Sequence, residues 1–521
     1  MLSATRCRLP VHRLVAPRAK RRVSVRRYKS SEAENRQVPA TYDKELADDH
    51  THAPLYHNYF GDARIALEDI RRFIKFSVIG FTAVGLITAT AYEGSHQDGG
   101  EQWRWSGGDN GGTDSSLGWE GTHAVRNAWM SLNWGIGSVE SVVNSIAFSV
   151  QDDGVSMVKT PLDVAQEFLS DALAIAKARR DRLHPETLST LLARHANILE
   201  RMGTRAALFE CRSDYEQVWD ALGGRGVEAA RVALKLGDLN KRLGDSEDAL
   251  AWWSRAIHLA AATPSLEPVP TVPSSLPSSP LAQRTLAQTL VSLSAFYATT
   301  DQLKPASTLE SAALTLLTPV LAARVPATAH PAQTLHTLFL RHRAALLAFH
   351  RAEVSFALRT ADNQWCISQL ESAARASEGV VLALTGAPSV HPDAPESNIP
   401  HPPVAEGERS LLKTWADSQS MQRPAINLLR DARRSATEAW NLVGVLYEGT
   451  GKKKGDAERA LECYERALGW AGVKADRAGN VAEPGEGTLE EEWRRLWGNY
   501  VRAREVVMKS REQSGCISIR L

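Results

Sequence analysis

Two short clusters carry residue types that could bind a phosphate or a metal ion. The first, Gly449-Thr450-Gly451-Lys452, resembles the end of a phosphate-binding loop, in which backbone amides and a lysine surround the phosphates. Leu446, however, stands where such a loop needs its first glycine, and no serine or threonine follows the lysine. The cluster also falls between two predicted helices and not after a strand. We therefore interpret it as a helix–helix turn.

The second cluster is Asp48-Asp49-His50, with His52 and His57 close behind it. Carboxylates and imidazoles are metal ligands, but no second cluster completes a defined site. We interpret it as a solvated loop. The motifs GxSxG, HExxH and GxGxxG do not occur in the sequence, and no pattern forces a carboxylate and a histidine into one dry pocket. The sequence therefore predicts no enzyme, no cofactor, no bound metal and no small-molecule substrate.

The strongest pattern lies in residues 230–262 and predicts two short amphipathic helices around a Gly244-Asp245 turn. Small residues let the helices approach closely, and the indole of Trp253 fills the space between them. This is the tetratricopeptide (TPR) pattern, with a period of about 34 residues. Asn240 stands where a tyrosine is usual. The positions in phase are Leu236, Gly237, Ala249, Trp253 and Ala256.

Residues 439–467 repeat this pattern, with a longer turn over 448–456. The corresponding positions are Trp440, Gly444, Tyr447, Ala460, Tyr464 and Ala467. A fainter copy has Ser294 and Tyr297, then Asp301 in the turn, then Ala306 and Ala313. Residues 187–222 and 335–384 are further helical pairs without a fixed register. One such pair cannot bury its own apolar face, so the pattern predicts an all-α solenoid of TPR-like helical hairpins.

The first helices of such hairpins build a concave surface. The apolar offsets of the 230–262 unit leave a set of side chains on or near that inner face, and we predict that they form a peptide groove; they are Arg231, Leu234, Asp238, Lys241 and Arg242. The alternative is a solvated face. A chaperone-carboxylate clamp is disfavoured, because Leu234 and Asp238 occupy the positions of its lysine and asparagine.

The N-terminal residues 1–30 contain ten Lys and Arg residues and no acid. This composition is typical of a mitochondrial presequence, and Arg26-Arg27-Tyr28 resembles a processing site. The alternative is a basic arm that binds RNA or acidic lipid. The whole chain has a net charge of +1, so the remaining residues carry 51 bases against 60 acids. A mildly acidic body argues against a nucleic-acid surface.

Residues 73–92 predict a single transmembrane helix, since 76–92 contain no charge. Basic residues precede it and acidic residues follow it. For a mitochondrial inner-membrane protein this places the N-terminus in the matrix and the C-terminal part in the intermembrane space. Trp103, Trp105, Trp119, Trp129 and Trp134 follow. Two interpretations stay open: this segment lies on the bilayer or meets a membrane partner, or it covers the first helical pair.

Two proline-rich stretches interrupt the helical array. The five cysteines show neither CxxC nor CX9C spacing, and this absence of paired spacing predicts isolated thiols. The predicted layout is a presequence (1–30), a polar tether (31–72), the transmembrane helix (73–92), a Gly-rich linker (93–118), a Trp-rich segment (119–160), helical repeats (161–263), a Pro/Ser-rich insertion (264–280), helical repeats (281–385), a Pro-rich loop (386–408), and a C-terminal repeat with a capping helix (409–510) whose apolar stripe is Trp493, Leu496, Trp497, Tyr500 and Val507.

The span with its exit Ala91-Tyr92-Glu93-Gly94-Ser95-His96-Gln97, together with the 439–467 repeat, resembles a family of fungal mitochondrial inner-membrane TPR proteins. That family includes the substrate-adaptor subunit of the i-AAA protease. The resemblance implies that the chain binds unfolded or misassembled proteins and delivers them to this protease. Its partners would be the i-AAA complex and the substrate proteins. The alternative is a TPR scaffold or assembly factor for respiratory or import complexes.

Overall fold

A computed structural model describes residues 112–134, 160–262, 270–322, 329–387, 411–450, 455–474, 483–484 and 493–518. Contacts divide the chain into residues 1–83 and 84–521, and every described residue lies in the second unit. The described helices are α1 (Gly118–Trp134), α2 (Pro161–Ala178), α3 (Pro185–Met202), α4 (Arg205–Ala221), α5 (Gly226–Leu243), α6 (Ser246–Ala261), α7 (Pro280–Thr299), α8 (Leu303–Ala322), α9 (Pro331–Leu358), α10 (Asn363–Thr385), α11 (Lys413–Ala416), α12 (Gln419–Thr450), α13 (Asp456–Ala471) and α14 (Trp493–Ser518). Short 3-10 turns cover Ser115–Leu117 and Arg180–Arg182, and two-residue strands β1 (Val473–Lys474) and β2 (Glu483–Pro484) pair antiparallel.

The helices pack as consecutive hairpins, α3 with α4, α5 with α6, α7 with α8, α9 with α10, and α12 with α13. The first helices of these hairpins also contact one another in order, as α5 does with α7, α7 with α9, and α9 with α12. Each hairpin therefore buries its apolar face against its neighbours. The all-helical hairpin architecture predicted from the sequence is confirmed.

The α5–α6 hairpin has the close approach that the small residues predict. A Cβ added to Gly237 would lie 2.5 Å from the indole of Trp253, which is fully buried. Gly244 ends α5 with a left-handed φ of 99°, a conformation that glycine adopts without steric cost. Leu236, Ala249 and Ala256 of the same hairpin are also buried. Local spacing alone therefore fixes this hairpin.

The C-terminal hairpin repeats this geometry with different helix lengths. A Cβ at Gly444 would lie 2.7 Å from the ring of Tyr464, and Trp440, Tyr447, Ala460 and Ala467 are buried. However, α12 extends from Gln419 to Thr450, so the helix begins well before the predicted repeat. The predicted 448–456 turn shortens accordingly, because α12 continues through its first residues.

The 280–322 hairpin also follows the fainter pattern. Ser294, Tyr297, Ala306 and Ala313 are buried, and Asp301 lies between α7 and α8 with a positive φ of 62°. The segment before α7 is not simply exposed, because Val272 and Leu276 pack against the core of this region. The Pro/Ser-rich insertion predicted at 264–280 therefore contributes these two side chains to the core.

Helix α1 packs against α2, with Leu117, Val125 and Ala128 fully buried between them. This contact favours the interpretation that the segment covers the first helical pair, although Trp119 is 77% exposed. At the other end, Leu496, Tyr500 and Val507 of α14 are buried against the array, as the capping stripe predicts.

The predicted transmembrane helix at 73–92, the presequence and the tether lie outside the described residues. Among the helices that the structure describes, none is long and apolar enough to cross a membrane. Cys211, Cys366 and Cys463 are buried free thiols, as predicted.

Candidate functional site

A groove with a volume of about 1040 Å³ runs across the first helices of the hairpins. Its walls come from the stretches 186–197 of α3, 228–235 of α5 and 281–288 of α7, with Phe339 of α9 and Asn427 of α12. Tyr215 and Val218 of α4 and its C-cap residue Leu222 also line the groove. The groove therefore samples five successive hairpins, and we refer to it below as the groove.

Basic side chains outnumber acidic ones in the groove. Arg194, Arg231, Lys235 and Arg284 line it, against Glu186 and Glu228. Within this set, Arg231 pairs with Glu228 at 2.8 Å and Lys235 pairs with Glu200 at 2.9 Å.

The other two arginines lie close to further cations. Burial, and next the charge of Arg423, lower the pKa of Arg194. Burial, and next the charge of Arg231, lower the pKa of Arg284. The Nε of Arg284 is buried without a hydrogen-bond partner. The electrostatic field of the groove is therefore positive.

The end of α1 meets the beginning of α12 beside this groove. The guanidinium of Arg423 donates a hydrogen bond to Asn133 Oδ1, across 290 residues. Farther along α12, Arg343 of α9 pairs with Asp431 at 2.8 Å. The first contact joins α1 to α12 and the second joins α9 to α12.

The five residues predicted to form the peptide groove divide into two groups. Arg231 and Leu234 line the groove, and Leu234 is buried, with 8% of its surface exposed. Asp238 instead accepts a hydrogen bond from Trp253 Nε1 at 3.1 Å, and burial raises its pKa. Arg242 lies 4.0 Å from Glu200. Burial lowers the pKa of His350, and the nearby charge of Lys241 lowers it further. The structure therefore places two of the five residues in the lining of the groove and three outside it.

A Ser–His–Asp chain that the sequence did not predict links α2, α3 and α4. Asp214 Oδ2 lies 2.6 Å from His195 Nδ1, and Ser170 Oγ lies 3.2 Å from His195 Nε2. His195 and Asp214 are buried, a pairing that no pattern in the sequence indicated. The only sequence signal is the spacing of one polar residue on each of three apolar helix faces.

The order of this chain matches a hydrolase triad, but its surroundings differ. Ser170 lies in the middle of α2, where backbone N–H groups bond within the helix. A triad needs donors aimed at the developing oxyanion, and here the donor beside Ser170 Oγ is the side chain of Gln166 at 3.1 Å. We interpret the chain as a polar link that fixes the register of three helices.

A second buried chain connects α7, α8 and α9. Ser294 Oγ donates to Glu310 Oε1 at 2.8 Å and lies 3.0 Å from His350 Nδ1. The hydroxyl stands between the acid and the imidazole, so His350 cannot act as a base supported by Glu310. Burial raises the pKa of Glu310 to about 7 and lowers that of His350 to about 4. In the part of the chain that the structure describes, no group of three His, Cys, Asp or Glu residues could hold a metal ion.

No protein-family model matches the chain, and no curated protein matches it.

Proposed function

We propose that the chain is a non-enzymatic adaptor of the mitochondrial inner membrane, built from TPR-like hairpins. It binds unfolded or misassembled proteins and delivers them to the i-AAA protease. The observation that carries the proposal is the groove across five first helices, which offers apolar, amide and charged side chains over a long surface. Such a surface suits an extended polypeptide better than a small molecule.

Tethering supplies the mechanism. The predicted span at 73–92 and the Gly-rich linker at 93–118 would hold the groove near the protease in the intermembrane space. Confinement of this kind raises the effective concentration of a bound substrate, so a weak groove is sufficient. Release to the protease also requires that binding be reversible.

Two experiments on isolated mitochondria test the proposal. The full-length protein, purified in mild detergent, is expected to bring the i-AAA complex with it. Deleting residues 160–521 is expected to slow the turnover of protease substrates and to leave the ATPase activity unchanged. Normal turnover after this deletion contradicts the proposal. Co-purification with respiratory or import complexes, without the protease, favours a scaffold or assembly factor instead.

Topology is tested separately. Protease added to mitochondria with a ruptured outer membrane is expected to digest the C-terminal part of the protein. If that part survives until detergent is added, it lies in the matrix, and the proposed localisation is wrong.

A further inference from the structure

Basic side chains outnumber acidic ones along the groove, and two of its arginines lie near further cations. Arg194 and Arg423 approach from α3 and α12, and Arg231 and Arg284 approach from α5 and α7. Burial, and next the charge of Arg284, also lower the pKa of His336 on α9. Like charges held together in a partly buried setting oppose folding. A protein keeps such an arrangement more readily when an anion relieves it in the bound state.

The hydrogen-bonding capacity of the groove points the same way. The Nε of Arg284 is buried without a partner. An unmet guanidinium donor is costly, and a carboxylate accepts it with two parallel bonds.

The remaining lining favours a polypeptide over a single headgroup. Amide side chains lie on three different first helices, Asn197 on α3, Gln288 on α7 and Asn427 on α12, and amides can pair with an extended backbone. Val232 and Leu281 provide apolar contact between the cations. A lipid headgroup would meet this lining at one point only.

We infer that the groove binds an extended acidic segment of a partner protein, whose carboxylates contact Arg194 and Arg284. This inference rests on the proposed peptide-binding function and specifies the chemistry of its ligand. It also distinguishes the groove from a purely apolar surface for unfolded chains, since charge would select the segment.

The test measures the binding of labelled peptides to the full-length chain in detergent by fluorescence anisotropy. One peptide alternates glutamate with leucine, and its matched partner carries glutamine in place of glutamate. The acidic peptide is expected to bind at least tenfold more tightly at low salt, and to lose most of that advantage at ~0.5 M salt, where charges are screened over a few ångströms. Vesicles with and without an anionic lipid are tested in parallel.

Arg194→Gln and Arg284→Gln together are expected to remove the preference for the acidic peptide. Arg375→Gln on α10 is the matched control, since Arg375 is exposed, pairs with Glu371 and lies outside the groove. The double variant is expected to keep or raise the melting temperature, because it removes repulsion. Weaker binding with a lowered melting temperature would be a folding defect; Arg194→Lys with Arg284→Lys then decides, since restored binding supports the inference and absent binding overturns it.

The outcomes distinguish a failure of the acidic-ligand inference from a failure of the adaptor proposal. Equal binding of both peptides overturns the acidic ligand and leaves the adaptor proposal standing. No binding of either peptide counts against a peptide groove and therefore against both. If anionic vesicles bind where neither peptide does, and the Arg194→Gln/Arg284→Gln variant loses that binding, the groove is a membrane surface and the inference is overturned.

Discussion

The carboxylate of Glu378 on α10 accepts a hydrogen bond from the indole of Trp470 on α13 at 2.6 Å, across 92 residues. The same carboxylate receives the indole N–H of Trp440 at 2.7 Å and two donors of Arg466, both at 2.5 Å. Glu378 is buried. One acid therefore joins the C-terminal hairpin to the helix before it.

Replacing this acid leaves four N–H donors without their acceptor. We expect Glu378→Ala to lower the free energy of unfolding by about 3–5 kcal/mol, since breaking a buried ion pair strands the remaining charge. Glu228→Ala is the control, because its pair with Arg231 is exposed and should contribute about 0–1 kcal/mol. Urea unfolding monitored by tryptophan fluorescence measures both. Equal small effects would show that Glu378 does not hold the hairpin.

Two helical glycines lie so close to an aromatic ring that replacing either with alanine should destabilise the fold. Gly237→Ala and Gly444→Ala each place a Cβ under 3 Å from a buried aromatic ring, so we expect a loss of about 1–3 kcal/mol from overpacking. At Gly379 and Gly498, which are also helical, a Cβ meets nothing within 4 Å. Alanine there should stabilise by about 0.5–1 kcal/mol. Thermal unfolding of the four variants checks the opposite signs.

Glu310 predicts a dependence of stability on pH. Burial raises its pKa from 4.5 to about 7, so between these values the folded protein holds more protons than the unfolded chain. The free energy of unfolding contributed by Glu310 therefore falls as pH rises through this interval. Glu310→Gln is expected to stabilise by about 2–3 kcal/mol above pH ~7.5 and to change little at pH ~4.

Comparing this variant with the parent protein at each pH removes the opposing effect of His350. Because the pKa of His350 is lowered in the folded protein, its contribution to the free energy of unfolding decreases as pH falls from 6.5 towards 4. Glu228→Gln, on an exposed side chain, serves as the control and should show no such trend. A gain from Glu310→Gln that is the same at both ends of the pH range would mean that Glu310 does not titrate as described.

The buried cysteines are expected to be unreactive. Burial raises the pKa of Cys211 and of Cys463 to about 12, and thiolate is the reactive form. Iodoacetamide at pH ~8 should therefore leave both unmodified in the folded protein and alkylate them in urea. Mass spectrometry of the digested protein reads each site. Rapid native alkylation of either thiol would show that its hairpin opens locally.

The Ser170–His195–Asp214 chain provides a test of the non-enzymatic interpretation. We expect a fluorophosphonate probe to leave Ser170 unlabelled, because no backbone oxyanion donors face its Oγ. Asp214→Ala should instead lower the free energy of unfolding by about 1–3 kcal/mol, since it removes the buried acceptor of His195 Nδ1. Labelling of Ser170 that disappears in the His195→Ala variant would establish a nucleophile and refute this expectation.

Local patterns in the sequence predicted much of the fold, and distant contacts set what they missed. The Gly237–Trp253 and Gly444–Tyr464 pairs lie within single hairpins, so their spacing is visible in the sequence. Of the stripe from Arg231 to Arg242, the first half lines the groove. The second half does not, because Asp238 bonds to Trp253, Arg242 lies near Glu200 and Lys241 lies near His350. No spacing within α5 contains that information.

The acid and histidine chains were missed for the same reason. His195 and Asp214 lie on different helices, and Glu378 meets partners 62, 88 and 92 residues away. A single polar residue on an apolar helix face is the available signal, and it does not name its partner. The arginines that line the groove are likewise far apart in the sequence, where nothing distinguishes them from ordinary surface charges.

The bond between Asn133 and Arg423 has a mechanical consequence. In an open stack of repeats, small changes of angle at each joint add up, and the two ends swing far apart or together. The hydrogen bond between α1 and α12 opposes such changes in the helices between them. Widening the groove for a bulky occupant would therefore stretch this contact.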